Sequence, residues 1–142
     1  MTEIRDAETD DDLLACWPAM HQLRPHVDRD AFVARVREQQ RTGYRLAFLR
    51  DDGDVRAVAG YRFGLNLAWG RHLYVDDLAT DGAERSRGHG GALFDWLVAQ
   101  ARAEGCAQLH LDSGVARFDA HRFYLQKRMR ISSHHFVLEL GG

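Results

Sequence analysis

The sequence predicts a single α/β domain over residues 1–142, with a mixed central β-sheet and helices on both of its faces. Two observations predict this fold class. Three strand-like segments follow one another between residues 44 and 80, which suggests antiparallel neighbours. Between residues 72 and 112 a strand, a long amphipathic helix and a strand follow in order, which suggests a parallel pair with a right-handed crossover.

The individual elements are predicted from caps, turn residues and apolar periodicity. A strand at 3–7 precedes a helix that Thr9 or Asp10 caps and that Pro18 kinks or interrupts. Asp28 caps a second helix, and Gly43 closes it. The later elements are strands at 44–50, 55–63 and 72–80, a helix at about 91–104, a strand at 107–112, a helix that Asp119 caps, and a closing strand at 134–140.

Composition narrows the classes of function. The formal net charge of −2 argues against a basic surface for nucleic acid. No apolar segment approaches the roughly 20 residues of a membrane span, and the acidic first residues do not resemble a secretion signal. The two cysteines, Cys16 and Cys106, lack metal-site or paired spacing, which predicts free thiols and, by elimination, a cytoplasmic protein. The eight histidines also lack ligand spacing, so no metal is expected.

A glycine-rich turn between the central strand and the long helix is the most informative segment. It comprises Arg85, Ser86, Arg87, Gly88, His89, Gly90, Gly91 and Ala92. Glycines allow successive N–H groups to converge on one point, and a helix start adds unpaired donors and partial positive charge. The segment lacks the Lys-Ser/Thr of a nucleotide-binding P-loop, and Leu93 replaces the third glycine of a dinucleotide fingerprint. A flexible loop before an ordinary helix is the remaining alternative to a pyrophosphate site.

The Arg-x-x-Gly-x-Gly pattern of this turn resembles that of the GNAT N-acetyltransferases. The preceding strand, Tyr74-Val75-Asp76-Asp77-Leu78-Ala79-Thr80, and the later block Ala120-His121-Arg122-Phe123-Tyr124 resemble the same family in order and spacing. The resemblance covers about residues 3–140. It departs from the family at Arg117, where asparagine is frequent, and at Arg128-Met129, where Gly-Phe is common.

The resemblance implies a GNAT fold that binds acetyl-CoA in an opening between the strands at 72–80 and 107–112. The cofactor-binding residues would be Leu78, Ala79 and Thr80, whose main chain pairs with the pantetheine arm, and the whole turn from Arg85 to Ala92, which holds the pyrophosphate. An N–H group of this strand could also polarise the thioester carbonyl. The family often dimerises, so a homodimer is an expectation.

Three residues are candidates for catalysis. The resemblance points to Tyr124 as the general acid that returns a proton to the leaving thiolate. Asp76 and Asp77 could hold a cationic amine or accept its proton through water. Because neighbours on a strand point to opposite faces, only one of them should face the acceptor unless a bulge re-aims it.

The acceptor-binding candidates are Asp76, Trp69, His110 and Asp112. The acidic set favours a small cationic amine, attacked directly within a ternary complex with acetyl-CoA. Two rival hypotheses remain at this stage. One is a non-catalytic module that binds acyl-CoA and regulates a partner, and the other is a nucleotide-binding protein that uses the same turn.

Overall fold

A computed structural model describes residues 1–81 and 88–141. The chain divides into two compact units, Met1–His110 and Leu111–Gly142. The elements in chain order are β1 (Thr2–Asp6), α1 (Asp10–Leu23), α2 (Arg29–Gln40), β2 (Arg45–Asp51), β3 (Asp54–Asn66), β4 (Gly70–Thr80), α3 (His89–Ala103), β5 (Gln108–Leu111) and α4 (Phe118–Gln126). None of these helices is both long and apolar enough to cross a membrane.

Local signals place the first helix where the sequence predicts it. The Thr9 hydroxyl accepts a hydrogen bond from the Asp12 N–H, and the Asp12 carboxylate accepts one in return from the Thr9 N–H. This capping box satisfies donors that a helix start leaves unpaired. Pro18 does not interrupt α1, which continues to Leu23.

Five strands form one sheet in the order β1-β2-β3-β4-β5, and the pairs among the first four are antiparallel. Asp52 and Gly53 both have positive φ, so a tight turn joins β2 to β3 as predicted. Gly60 of β3 pairs with Asp77 of β4, but Tyr61 pairs with Val75. Asp76 is therefore the extra residue of a β-bulge in the middle of β4.

Both faces of the sheet are buried. Leu46 and Phe48 of β2 belong to a core cluster that contains residues of α1 and α2. Their neighbours Ala47 and Leu49 point to the opposite face and are also buried. On that second face, Trp96 of α3 meets the ring of Tyr61 edge to face. Helices thus cover both faces, as the sequence predicts.

Two sequence-based predictions about the last part of the chain are wrong. No strand occurs at 134–140, and residues 129–141 contain neither helix nor strand. The apolar pattern there predicts a strand, but a strand also needs a paired neighbour, which local sequence does not provide. Arg117, not Asp119, is the cap residue of α4; Asp119 lies in the first turn and accepts a hydrogen bond from Arg122.

Candidate active site

A cavity of about 280 Å³ lies in the first unit, between the end of α1, helix α2 and the middle of β4. Its volume suits a small molecule rather than a polymer segment. Its lining residues are Met20, Arg24, His26, Val27, Phe32, Arg35, Val36, Gln39, Tyr44, Asp76 and Asp77. The cavity therefore combines an apolar wall from the two helices with a charged floor on the sheet.

Asp77 forms the centre of that floor. One carboxylate oxygen accepts a hydrogen bond from Arg24 Nε at 2.8 Å, and the other accepts one from the Tyr44 hydroxyl at 2.8 Å. Burial, reinforced by the neighbouring Asp77, raises the pKa of Tyr44 well above its ordinary value, so the phenol keeps its proton and remains a donor. A side chain at Gly60 would collide with both Tyr44 and Asp77, so only glycine leaves room for this pair.

Asp76 faces the same cavity because of the bulge. Its carboxylate accepts hydrogen bonds from Arg62 Nε and Nη2, the shortest at 2.9 Å. Its backbone carbonyl accepts one from Arg24 Nη2 at 3.0 Å. The regular alternation of a strand would have sent Asp76 and Asp77 to opposite faces, but the extra residue brings both carboxylates to one side.

Three residues around these carboxylates were not predicted from the sequence: Arg24, Tyr44 and Arg62. Arg24 caps the end of α1, and the contacts of Arg24 and Tyr44 with Asp77 span 53 and 33 residues of chain. Arg62 lies on β3 opposite Tyr74, which precedes Asp76 by two residues on β4, and this pairing of the two strands brings Arg62 to Asp76.

The end of β4 meets the start of α3. A Cβ placed on Gly90 would lie 2.8 Å from Thr80 Cγ2, so glycine is needed for this close approach. Gly88, with φ of 78°, precedes α3, and the first helical hydrogen bond runs from the Ala92 N–H to the Gly88 carbonyl. The N–H groups of His89, Gly90 and Gly91 therefore have no acceptor within the helix.

Within the part of the chain that the structure describes, strand β4 also has a free edge near this junction. The Ala107 N–H, just before β5, binds the Arg71 carbonyl near the start of β4. Because β5 has only four residues, it ends before it could pair with Leu78, Ala79 or Thr80. These three residues pair with β3 on their other side.

Several predicted residues lie elsewhere or outside the described chain. Arg85, Ser86 and Arg87 belong to residues 82–87, which the structure does not describe. The His89 side chain is directed to the sheet, with its Nε2 3.5 Å from the Asp51 carboxylate. Its ring is therefore a contact between α3 and the β2–β3 hairpin.

Trp69 and His110 are adjacent to each other but do not line the cavity. Their rings stack with centroids 3.6 Å apart, and His72 meets both edge to face. His110 Nε2 also contacts the Gln108 side chain at 2.6 Å. Of the four predicted acceptor-binding residues, only Asp76 is among the residues that line the cavity.

The second unit contains Asp112 and Tyr124. Asp112 lies 3.4 Å from His135 Nδ1. Burial raises the pKa of Tyr124, while the nearby Arg117 opposes that shift. The phenol is therefore protonated near neutral pH. Within residues 1–81 and 88–141, no group of three His, Cys, Asp or Glu side chains is arranged to hold a metal ion.

Comparison with known proteins agrees with this architecture. The model of the acetyltransferase (GNAT) family matches residues 7–129. An uncharacterized N-acetyltransferase of Bacillus subtilis is 31% identical over 89% of this chain and 90% of its own. The aminoalkylphosphonate N-acetyltransferase of Salmonella typhimurium is 29% identical over 97% of this chain and 91% of its own.

Among solved structures, a transcriptional regulator from Bacillus halodurans superposes with a TM-score of 0.86, covering 99% of this chain and all of its own. At 20% identity that likeness shows the fold alone. The family match extends over most of the chain and includes β4 and α3, the elements that form the cavity floor and the glycine junction. The chain belongs to the GNAT acetyltransferase family and is an acetyl-CoA-dependent N-acetyltransferase.

Proposed function

We propose that this protein transfers the acetyl group of acetyl-CoA directly to the primary amine of a small acceptor, with both substrates bound at once. One observation carries the proposal. The cavity residues Asp76 and Asp77 immediately precede Leu78–Thr80, the free edge that reaches the glycine start of α3. On this proposal a single strand would present the acceptor cavity and the coenzyme-binding edge side by side.

The residues at the β4–α3 junction fit coenzyme A. The free edge of β4 at Leu78 and Ala79 can pair with the amide groups of the pantetheine arm as an added strand would. The N–H groups of His89, Gly90 and Gly91, which have no acceptor within the helix, and the positive end of α3 suit the two phosphates. Arg85, Ser86 and Arg87 complete this proposed site on the basis of sequence. When bound, acetyl-CoA supplies the activated acetyl thioester.

The two carboxylates have different proposed roles. Both oxygens of Asp77 already accept hydrogen bonds, from Arg24 and from Tyr44, so Asp77 fixes the shape and charge of the floor. The Asp76 side chain is 23% exposed, against 12% for Asp77, and is the more accessible partner for an ammonium group. Asp76 would hold the cationic amine and receive its proton through water when the amine becomes a nucleophile.

Tyr124 is the proposed general acid. As the nitrogen–carbon bond forms and the carbon–sulfur bond breaks, the thiolate needs a proton. The raised pKa of the partly buried Tyr124 phenol keeps that proton available near neutral pH. The hydroxyl would regain its proton from solvent after the thiol leaves.

The acceptor is proposed to be a small molecule. The cavity of about 280 Å³ holds a molecule of a few non-hydrogen atoms beside its charged floor. The Salmonella typhimurium relative, by name, acts on aminoalkylphosphonates, which are small molecules with one amine. A small acceptor with a cationic amine end is consistent with both observations.

The proposal is tested by measuring thiol release from acetyl-CoA with a panel of small primary amines. We expect release that depends on the amine, and mass spectrometry should detect the N-acetylated product. Asp76→Asn should raise the KM for the amine more than the KM for acetyl-CoA, because it removes the charge that holds the ammonium. Release at the same rate with and without every amine would overturn the proposed transfer.

A further inference from the structure

We propose that the acceptor carries an anionic group as well as its amine, and that Arg35 binds this group at the mouth of the cavity. The inference rests on the proposed function, since it names a second recognition element of the same acceptor site. It follows from the balance of charge around the cavity and from Arg35, the cavity-lining arginine that has no ion pair or hydrogen bond within the described residues.

The carboxylates of the cavity are already matched by arginines. Asp77 is paired with Arg24 at 2.8 Å, and Asp76 is paired with Arg62 at 2.9 Å. No other carboxylate lines the cavity within the described chain. Asp77 is thus neutralised by Arg24, and Asp76 by Arg62, which is not itself among the lining residues, so a further guanidinium group on the lining is a positive charge in excess.

That excess charge belongs to Arg35. Arg35 lies on α2, lines the cavity and is exposed to solvent. In residues 1–81 and 88–141 it makes no ion pair and no hydrogen bond, whereas Arg24 and Arg62 are both engaged with carboxylates. Its nitrogens are all available as donors for a ligand that enters from the solvent.

The positions of these charges separate two ends of a ligand. The carboxylates are on the sheet, at Asp76 and Asp77, while Arg35 is on the helix across the cavity. An acceptor with its ammonium at Asp76 would direct its other end toward Arg35. A guanidinium group presents paired donors that match the oxygens of a phosphonate, phosphate or carboxylate.

The same arrangement disfavours a polyamine. A second ammonium group in place of the anion would meet Arg35 and the excess positive charge of the cavity, and like charges repel. The acidic residues by themselves suggested a cationic acceptor, but their arginine partners change that balance. The expected substrate class is a short amine with an acidic group at its other end.

The experiment compares four acceptors of similar length: 2-aminoethylphosphonate, β-alanine, ethanolamine and 1,3-diaminopropane. We expect kcat/KM to be highest for the two anionic amines and lowest for the diamine. Arg35→Gln should raise the KM for the anionic amines about threefold to tenfold, a range set by the exposure of this site. It should leave the KM for ethanolamine unchanged.

Arg29→Gln is the matched control, because Arg29 is an exposed arginine on the same helix that does not line the cavity. It should leave all four KM values unchanged. If Arg35→Gln weakens ethanolamine as much as the anionic amines, or if the diamine is the best acceptor, the inference is overturned while the proposed acetyl transfer stands.

A binding measurement separates the two proposals if no amine is acetylated. The melting temperature of each variant is measured with and without saturating 2-aminoethylphosphonate, since a ligand of the folded state raises it. A stabilisation of the parent protein that Arg35→Gln removes supports the anion site even without turnover. The absence of any stabilisation, together with the absence of acetylation, overturns both proposals.

Discussion

Replacement of Tyr44 by phenylalanine tests the link between the cavity floor and acceptor binding. The change removes one hydroxyl and keeps the buried ring, which is only 3% exposed. The hydroxyl donates to Asp77 at 2.8 Å, and the Asp77 side chain is 12% exposed. Tyr44→Phe therefore leaves a largely buried carboxylate oxygen with one donor fewer.

A hydrogen bond to a charged group contributes about 1.5–3 kcal/mol to stability. The cavity gives water access to the floor, so we expect the lower end, about 1.5 kcal/mol of unfolding free energy. For a chain of this size that corresponds to a fall in melting temperature of about 4–7 °C. Asp77 would also be less firmly fixed against Arg24, so the KM for the acceptor should rise about threefold to tenfold.

The assay combines urea unfolding with steady-state kinetics. Tyr61→Phe is the matched control, because the Tyr61 hydroxyl donates at 2.7 Å to another carboxylate, Asp6, on the opposite face of the sheet. It should cost a similar free energy of unfolding without changing the KM for the acceptor. An unchanged KM in Tyr44→Phe, or an equal rise in both variants, would refute the reasoning.

Three further predictions concern other parts of the chain. Hydrogen bonds from Arg5 and from the Glu8 and Thr9 N–H groups hold the pKa of Asp12 well below its usual range. The stabilisation of the fold by this carboxylate is therefore present above the unfolded pKa and is lost as the pH falls through the folded pKa. Asp12→Asn should lower the free energy of unfolding in urea by about 2 kcal/mol at pH 7, and by less than half of that at pH 2. Burial raises the pKa of the Cys16 thiol to about 12, so a thiol reagent at pH 8 should label Cys106 in the native protein and Cys16 only after unfolding; equal native labelling would contradict the burial of Cys16. Tyr124→Phe should lower kcat about a hundredfold with little change in the KM for the amine, and undiminished turnover would remove Tyr124 from the mechanism.

The features of the fold that were predicted correctly depend on contacts between residues that are close together in the chain. Thr9 and Asp12 form a cap within one helical turn, and Asp52 and Gly53 form a hairpin turn within four residues. The glycines at 88 and 90 likewise predicted a helix that begins at about residue 91, two residues from the observed start of α3 at His89. Short-range chemistry fixes these features, so a single sequence is enough to predict them.

The cavity floor depended on distant contacts and was predicted only in part. Asp76 and Asp77 were candidates because of their place on the predicted strand, but the bulge that turns both to one side is a property of the β3–β4 register. Their partners Arg24 and Tyr44 approach from 53 and 33 residues away. The closing strand at 134–140 failed for a related reason, since an alternating pattern does not specify a pairing partner.

In the function proposed above, β4 and the start of α3 hold acetyl-CoA beside the acceptor cavity. The most direct test is calorimetric titration of acetyl-CoA into the parent protein and into Gly90→Val. The valine side chain would collide with Thr80, whose Cγ2 is already 2.8 Å from an added Cβ. The helix propensity of valine is no lower than that of glycine, so the substitution should not by itself unfold α3.

Gly114→Ala is the control for this titration, because a Cβ there meets nothing closer than 3.8 Å. With circular dichroism showing both variants folded, we expect the Kd for acetyl-CoA to rise at least about tenfold in Gly90→Val and to stay unchanged in Gly114→Ala. A folded Gly90→Val that binds acetyl-CoA as tightly as the parent protein would contradict the assignment of the coenzyme to this junction.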